Sequence, residues 1–173
     1  MKKPSGMRPQ DVVILLKIIA LQGSQWRTTD LANQLFMSQS EISEALHRNW
    51  VASLMNDSKK SVHTGSLLEF LEHGVKYVFP QRPGPIVRGM PTAHSAPPMS
   101  KMVQSGSSIY VWPDVEGVVR GEAIVPLYPT VPRAAKSDER FYEFVALVDA
   151  IRIGKAREVK LAAEQLRQKI LEQ

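Results

Sequence analysis

The apolar residues of this chain fall into helical stripes toward both ends and into a looser, proline-broken pattern between them. Near the start, "VVILLKIIAL" at 12–21 is apolar on almost every side, so a helix over about 9–22 must be packed all round. Pro9 suits its first turn, Asp11 lies near its positive end, and Gly23 follows its last turn. A second helix over about 28–36 presents Leu31, Ala32 and Leu35 on one face. A third starts at Ser38, which forms a capping box with Glu41 three residues on. Its inward face is Ile42, Ala45 and Leu46, continued by Trp50, Val51 and Leu54.

After the polar "NDSKKS" at 56–61, Thr64 is placed to cap a short fourth helix that carries Leu67, Leu68, Phe70 and Leu71 and ends at Gly74. The stretches "VKYVF", "PQRPGP" and "IVRG" then read as strand, turn, strand. Residues 91–135 hold seven of the twelve prolines, which bars a long helix or a central strand there. Within that segment "VVRGEAIV" at 118–125 reads as a strand and "PLYPTVP" as extended chain. Its apolar content predicts an ordered arm, with Met90, Met99, Met102, Tyr110, Trp112 and Tyr128 packed against the rest or offered to a partner.

Helical spacing returns after Ser137 in Phe141, Phe144, Val145, Val148 and Ile151, and again in Val159, Ala162, Ala163, Leu166 and Ile170. Gly154 divides this run into an antiparallel pair or one kinked helix. The expected fold is therefore mainly α with a small β-hairpin wing (α+β). Residues 1–90 make a winged helix-turn-helix, 91–136 a proline-rich arm packed on it, and 137–173 a C-terminal helical extension. The wide apolar faces of that extension need cover from the body of the chain or from a second copy in a homodimer.

Charge sharpens this picture. The net charge is +5 with a pI near 9.6, and residues 1–60 carry eight Lys/Arg against five Asp/Glu, so the excess sits early in the chain and favours a polyanion there. The absence of cysteine excludes disulfides and thiolate metal sites and fits a cytoplasmic protein. The first apolar run is shorter than the ~20 residues needed to cross a bilayer. The basic "MKKPSGMR" leads into no small-residue cleavage site, so no membrane association is expected.

Candidate chemistry is sparse. His47, His63, His73 and His94 have no metal-ligand spacing; His73 suits a helix end, and His94 suits a pocket wall or a loop hydrogen bond. The serines of "GSQW" and "QSGSS" lack the strand-turn-helix setting of a nucleophile. No catalytic residue, cofactor or metal is expected.

The segment Thr28–Leu46 follows the apolar template of a helix-turn-helix: Leu31, the small Ala32 where two helices cross, Leu35, Met37 at the turn, Ile42, Ala45 and Leu46. Phe36 stands where such turns usually carry glycine, and tolerates a left-handed backbone poorly. Over roughly residues 9–90 the chain resembles the MarR-like winged-helix regulators of bacteria. The resemblance implies sequence-specific binding to double-stranded DNA and a role as a transcriptional regulator. In such folds the second helix of the motif enters the major groove, which makes Gln39, Ser40, Ser43, Glu44 and His47 the candidate base contacts. Ser38, Arg27, Thr28, Arg48, Lys59, Lys60 and His63 are the candidate phosphate contacts, with Arg82 and Arg88 on the wing. The alternative is a protein-protein interaction module, antitoxin-like or an adaptor, that uses the same fold without reading bases.

Overall fold

A computed structural model describes residues 6–104, 106 and 108–172. The first five residues of the basic start, and Ser105 and Ser107 of "QSGSS", lie outside them. Helix α1 (Pro9–Ala20) is the centre of the molecule, with every residue from Asp11 to Ile19 buried. Two of those are charged, and each has a partner. Asp11 takes a forked pair of hydrogen bonds from Arg48, and Lys17 pairs with Asp138.

Helices α2 (Thr28–Leu35) and α3 (Gln39–Val51) follow, joined by a tight turn. Phe36 caps α2 in the left-handed conformation, φ 55° and ψ 42°, so the turn keeps its usual geometry despite the missing glycine. That conformation costs a non-glycine residue about 1–2 kcal/mol. It is held by the Met37 amide donating to Ala32 O and by burial of the Met37 side chain. Ser38 caps α3, its Oγ accepting from the Glu41 amide at 3.1 Å. Only that half of the expected box forms, because the Glu41 carboxylate accepts instead from Gln10 Nε2 at 2.6 Å.

Beyond α3 the polar stretch is a built loop. Met55 and Val62 pair in an antiparallel bridge, and the Asn56 side-chain oxygen accepts from the amides of Lys60 and Ser61. Residues 55–62 thus make a minimal hairpin with Ser58 and Lys59 at its tip. Helix α4 (Thr64–His73) comes next, its N-cap being His63 and not Thr64.

The predicted strand "VKYVF" is instead a one-turn helix, α5 (Val75–Val78). It buries Val75, packs against the helix Glu139–Ile153, leaves Tyr77 and Val78 exposed, and is fastened where Arg152 Nε donates to Phe79 O at 2.9 Å. Tertiary packing has overridden β propensity. The expected hairpin therefore does not form. Strand β1 (Ile86–Pro91) pairs antiparallel with β2 (Tyr110–Pro113) and with β3 (Val119–Ala123), and the far edges of β2 and β3 meet in a short parallel pair. The three strands close into a small barrel. The closure is so tight that a Cβ on Gly89 would lie 2.0 Å from Trp112 O.

"PLYPTVP" is not wholly extended: it ends in helix α6 (Val131–Ala135), whose first turn accommodates Pro132. Helices α7 (Glu139–Ile153) and α8 (Ala156–Leu171) form an antiparallel pair, with Arg140 Nη2 donating to Lys169 O. Phe141 and residues 144–151 of α7 are all buried, against α1, α4, α5, α6 and α8. The face of α8 away from this stripe carries Arg157, Lys160, Glu164 and Arg167. The body of the chain covers these apolar faces, which removes the reason given for a dimer seam on them.

The arm is bolted to α7 through Asp149, which is fully buried and accepts from Thr92 Oγ1, Trp112 Nε1 and Arg152 Nη1, each at 2.7 Å. Tyr142 donates to Pro91 O at 2.7 Å. Burial pushes its phenol up to about 12, so it remains a donor across the neutral range. Met99 and Trp112 are fully buried, Met90, Tyr110 and Tyr128 pack partly, and Met102 is exposed. One continuous apolar core runs from Val12 through α2, α3 and the arm to Ile170. The described residues thus form a mixed α/β fold of eight helices and a three-stranded sheet, and none of these helices is long and apolar enough to cross a membrane.

Candidate nucleic-acid interface

Helix α3 buries Ile42, Ala45 and Leu46 and turns Gln39, Ser40, Ser43, Glu44 and His47 outward, all exposed. The two acids of this helix have different fates. Glu41 is hydrogen-bonded to Gln10, which places the start of α1 beside the first turn of α3. Glu44 is free to reach outward, with only Arg48 Nη1 at 3.8 Å.

Arg48 needs correction as a phosphate contact. Its side chain is buried, with Nε 2.9 Å and Nη2 2.7 Å from the Asp11 carboxylate, and those hydrogen bonds raise its pKa above the usual value. It is spent on the core. Trp50 and Val51 need the opposite correction: they do not continue the inward face, being 38% and 46% exposed. The helix turns them away from α1 because Asn49, not Trp50, meets it, with Nδ2 donating to Asp11 O.

The other cations divide by location. Arg27 projects at the start of α2, where its backbone N–H, and then its guanidinium, hold the Asp30 carboxyl below the usual range. Thr28 is half-buried behind it. Lys59 lies over the Trp50 ring at 5.3 Å from its centroid and 3.4 Å from His47 Nδ1. Lys60 sits over Trp26 at 4.2 Å and donates to Trp26 O. His63 faces Ser53 O through Nδ1 at 2.9 Å. Arg82 and Arg88 are exposed, yet the hairpin meant to carry them is absent, and among the described residues the hydrogen bonds of β1 lead to the barrel and α7.

Three exposed groups beside α3 escaped the sequence reading. Trp50 forms a surface cluster with His47, Lys59 and Asp57, the last accepting from Trp50 Nε1 at 3.1 Å. Arg8 precedes α1 by one residue, at the end that Gln10 ties to α3. Arg133 on α6 lies with its guanidinium carbon 3.7 Å from the Phe36 ring centroid. The candidate interface thus draws on four parts of the sequence.

His94 is buried, its Nε2 2.9 Å from Ser108 O and its Nδ1 3.9 Å from Glu158, beside a small cavity reached by Ser95 and Val103. A cleft of ≈ 570 Å³ opens between the end of α1 and the hairpin, lined by Ile18, Trp26, Lys60, Val62 and Thr64. Lys60 is the one charged side chain among its lining residues. Among the described residues no three His, Asp or Glu side chains gather as a metal would need. No family model, no curated protein and no solved structure matches the chain.

Proposed function

We propose that this protein binds double-stranded DNA in a sequence-dependent way through α2 and α3 and acts as a transcriptional regulator of the MarR-like kind. One observation carries the reading: the outer face of α3 is a row of exposed polar side chains with no core duty, with cations on the elements next to it in sequence, Arg8 before α1, Arg27 before α2, and Lys59 and Lys60 on the hairpin after α3. The N-terminal half of α3 enters the major groove, where Gln39 pairs with adenine and Glu44 accepts from the amino group of cytosine. The surrounding cations hold phosphates and fix the register. The wing in this reading is the 55–62 hairpin, which directly follows α3 and carries Lys59 at its tip, and not the segment of Arg82 and Arg88.

Fluorescence anisotropy with the duplex upstream of the gene and with a shuffled duplex, at two salt concentrations, tests the reading. Preference for the native duplex that survives added salt, and is lost in the triple variant Gln39→Ala, Ser43→Ala, His47→Ala, is the expected result. No binding to any duplex at low salt would sink it.

A second reading, an interaction module without base readout, is favoured by the β2–β3 loop. Val115 and Val118 are 93% and 94% exposed on a loop braced by Lys136, which reaches both Asp114 and Glu116. Rigid, exposed apolar tips suit a protein partner.

A further inference from the structure

Helix α6 lies against α2 and α7, and two contacts fix it at the turn of the helix-turn-helix. Thr130 Oγ1 donates to Leu35 O at 2.7 Å, meeting a carbonyl that the end of α2 leaves open. Arg133 lies over Phe36. The first contact explains why α6 is where it is. It does not explain the guanidinium, which is exposed and makes no hydrogen bond or ion pair among the described residues. Lys136, three residues on along the chain, is by contrast paired with both Asp114 and Glu116.

A guanidinium stacked on a ring keeps its N–H groups directed outward in one plane, the geometry for a two-point contact with phosphate. The stack also removes rotamer freedom before anything binds, so less is lost on contact. Its location is specific. Phe36 is the cap of α2 and lies two residues before Ser38, the cap of α3, so Arg133 stands at the edge of the first turn of α3. A strand bordering the groove that α3 enters passes that edge.

We propose that α6 belongs to the nucleic-acid interface and that Arg133 grips a backbone phosphate beside the groove entered by α3. The inference rests on the DNA-binding reading above and gives the proline-rich arm a part in it. It also gives Phe36 a purpose: a glycine there would relieve the backbone and leave Arg133 without a platform.

The test is anisotropy of the full chain on several duplexes across a salt series, for the wild type, Arg133→Gln, Arg133→Met and Arg133→Lys. Arg133→Met keeps an unbranched apolar stem over Phe36, so it preserves the packing if Arg133→Gln folds poorly by circular dichroism. The expected result is weaker binding by Arg133→Gln and Arg133→Met, by a similar factor on every duplex, with the salt slope reduced by about one phosphate. The deficit then shrinks by about threefold between about 50 and about 200 mM salt. Arg133→Lys falls between, since it keeps the charge and loses the fork. If Arg133→Met matches the wild type in affinity and slope while the α3 triple variant loses base preference, α6 is outside the interface and the α3 reading stands. If the wild type binds no duplex at low salt, both fail together.

Discussion

Arg48 and Asp11 meet as a forked ion pair inside the core, Nη2 2.7 Å from Oδ1 and Nε 2.9 Å from Oδ2, and so tie α3 to α1. Removing one partner strands the other charge away from water. Arg48→Met or Asp11→Asn alone is expected to cost about 3–5 kcal/mol in urea unfolding, and the double variant Asp11→Leu with Arg48→Met to recover most of it. A single variant within about 1 kcal/mol of the wild type would show that water reaches the pair.

The position of the wing separates two sets of cations. Lys59→Gln with Lys60→Gln is expected to lower duplex affinity on all sequences and to reduce the salt slope by one to two phosphates in anisotropy, at about 0.9 per phosphate. Arg82→Gln with Arg88→Gln is expected to change neither. The reverse pattern would return the wing to the segment after α5.

Asp149 is the acceptor on which three donors converge. Asp149→Ala leaves Thr92 Oγ1, Trp112 Nε1 and Arg152 Nη1 without their acceptor in the interior, an expected loss of about 3–5 kcal/mol, with the near-ultraviolet dichroism of Trp112 flattened. An unchanged spectrum would mean that the barrel does not depend on this contact for its seat.

Lys136 and Asp114 set a pH window for the β2–β3 loop. The hydrogen bond from Lys136, and then the Glu116 amide, hold the Asp114 carboxyl below its ordinary 3.8. The hydrogen bonds to Asp114, and then Glu116, hold Lys136 above its ordinary 10.5. A depressed carboxyl contributes above its unfolded value and is lost as pH falls through the folded one. A raised amine contributes below its unfolded value and is lost as pH rises through the folded one. The bridge therefore steadies the loop between those limits. Hydrogen exchange at the Glu116 and Gly117 amides is expected to be faster in Lys136→Met than in the wild type at neutral pH, with the difference closing below pH 3.8. A difference that persists in acid would assign the effect to packing.

The helices were legible because their signals are local. Ser38 marks the start of α3, and Leu31, Ala32, Leu35 and Ile42 repeat at helical spacing. Two strands were legible as "IVRG" and "VVRGEAIV", but β2 and the pairing were not, because β1 finds its partners 20 to 36 residues on, in a segment whose prolines argue against strands. Pro91 and Pro113 escape that argument by standing at strand ends. Arg48 and Trp50 were misassigned for one reason. Neighbouring positions on a helix differ by about 100°, and only the position of α1 decides which of them faces inward. Arg133 carried no local signal, since its meaning lies in Phe36, on a different element.

The placement of α7 also bears on how the protein comes to exist. Lys17, on α1, waits for Asp138, 121 residues later, and the side of α1 that α7 covers stays open until α7 has followed it out of the ribosome. Contacts so far apart in sequence slow folding, and that side of α1 is uncovered while the residues between the two helices are made.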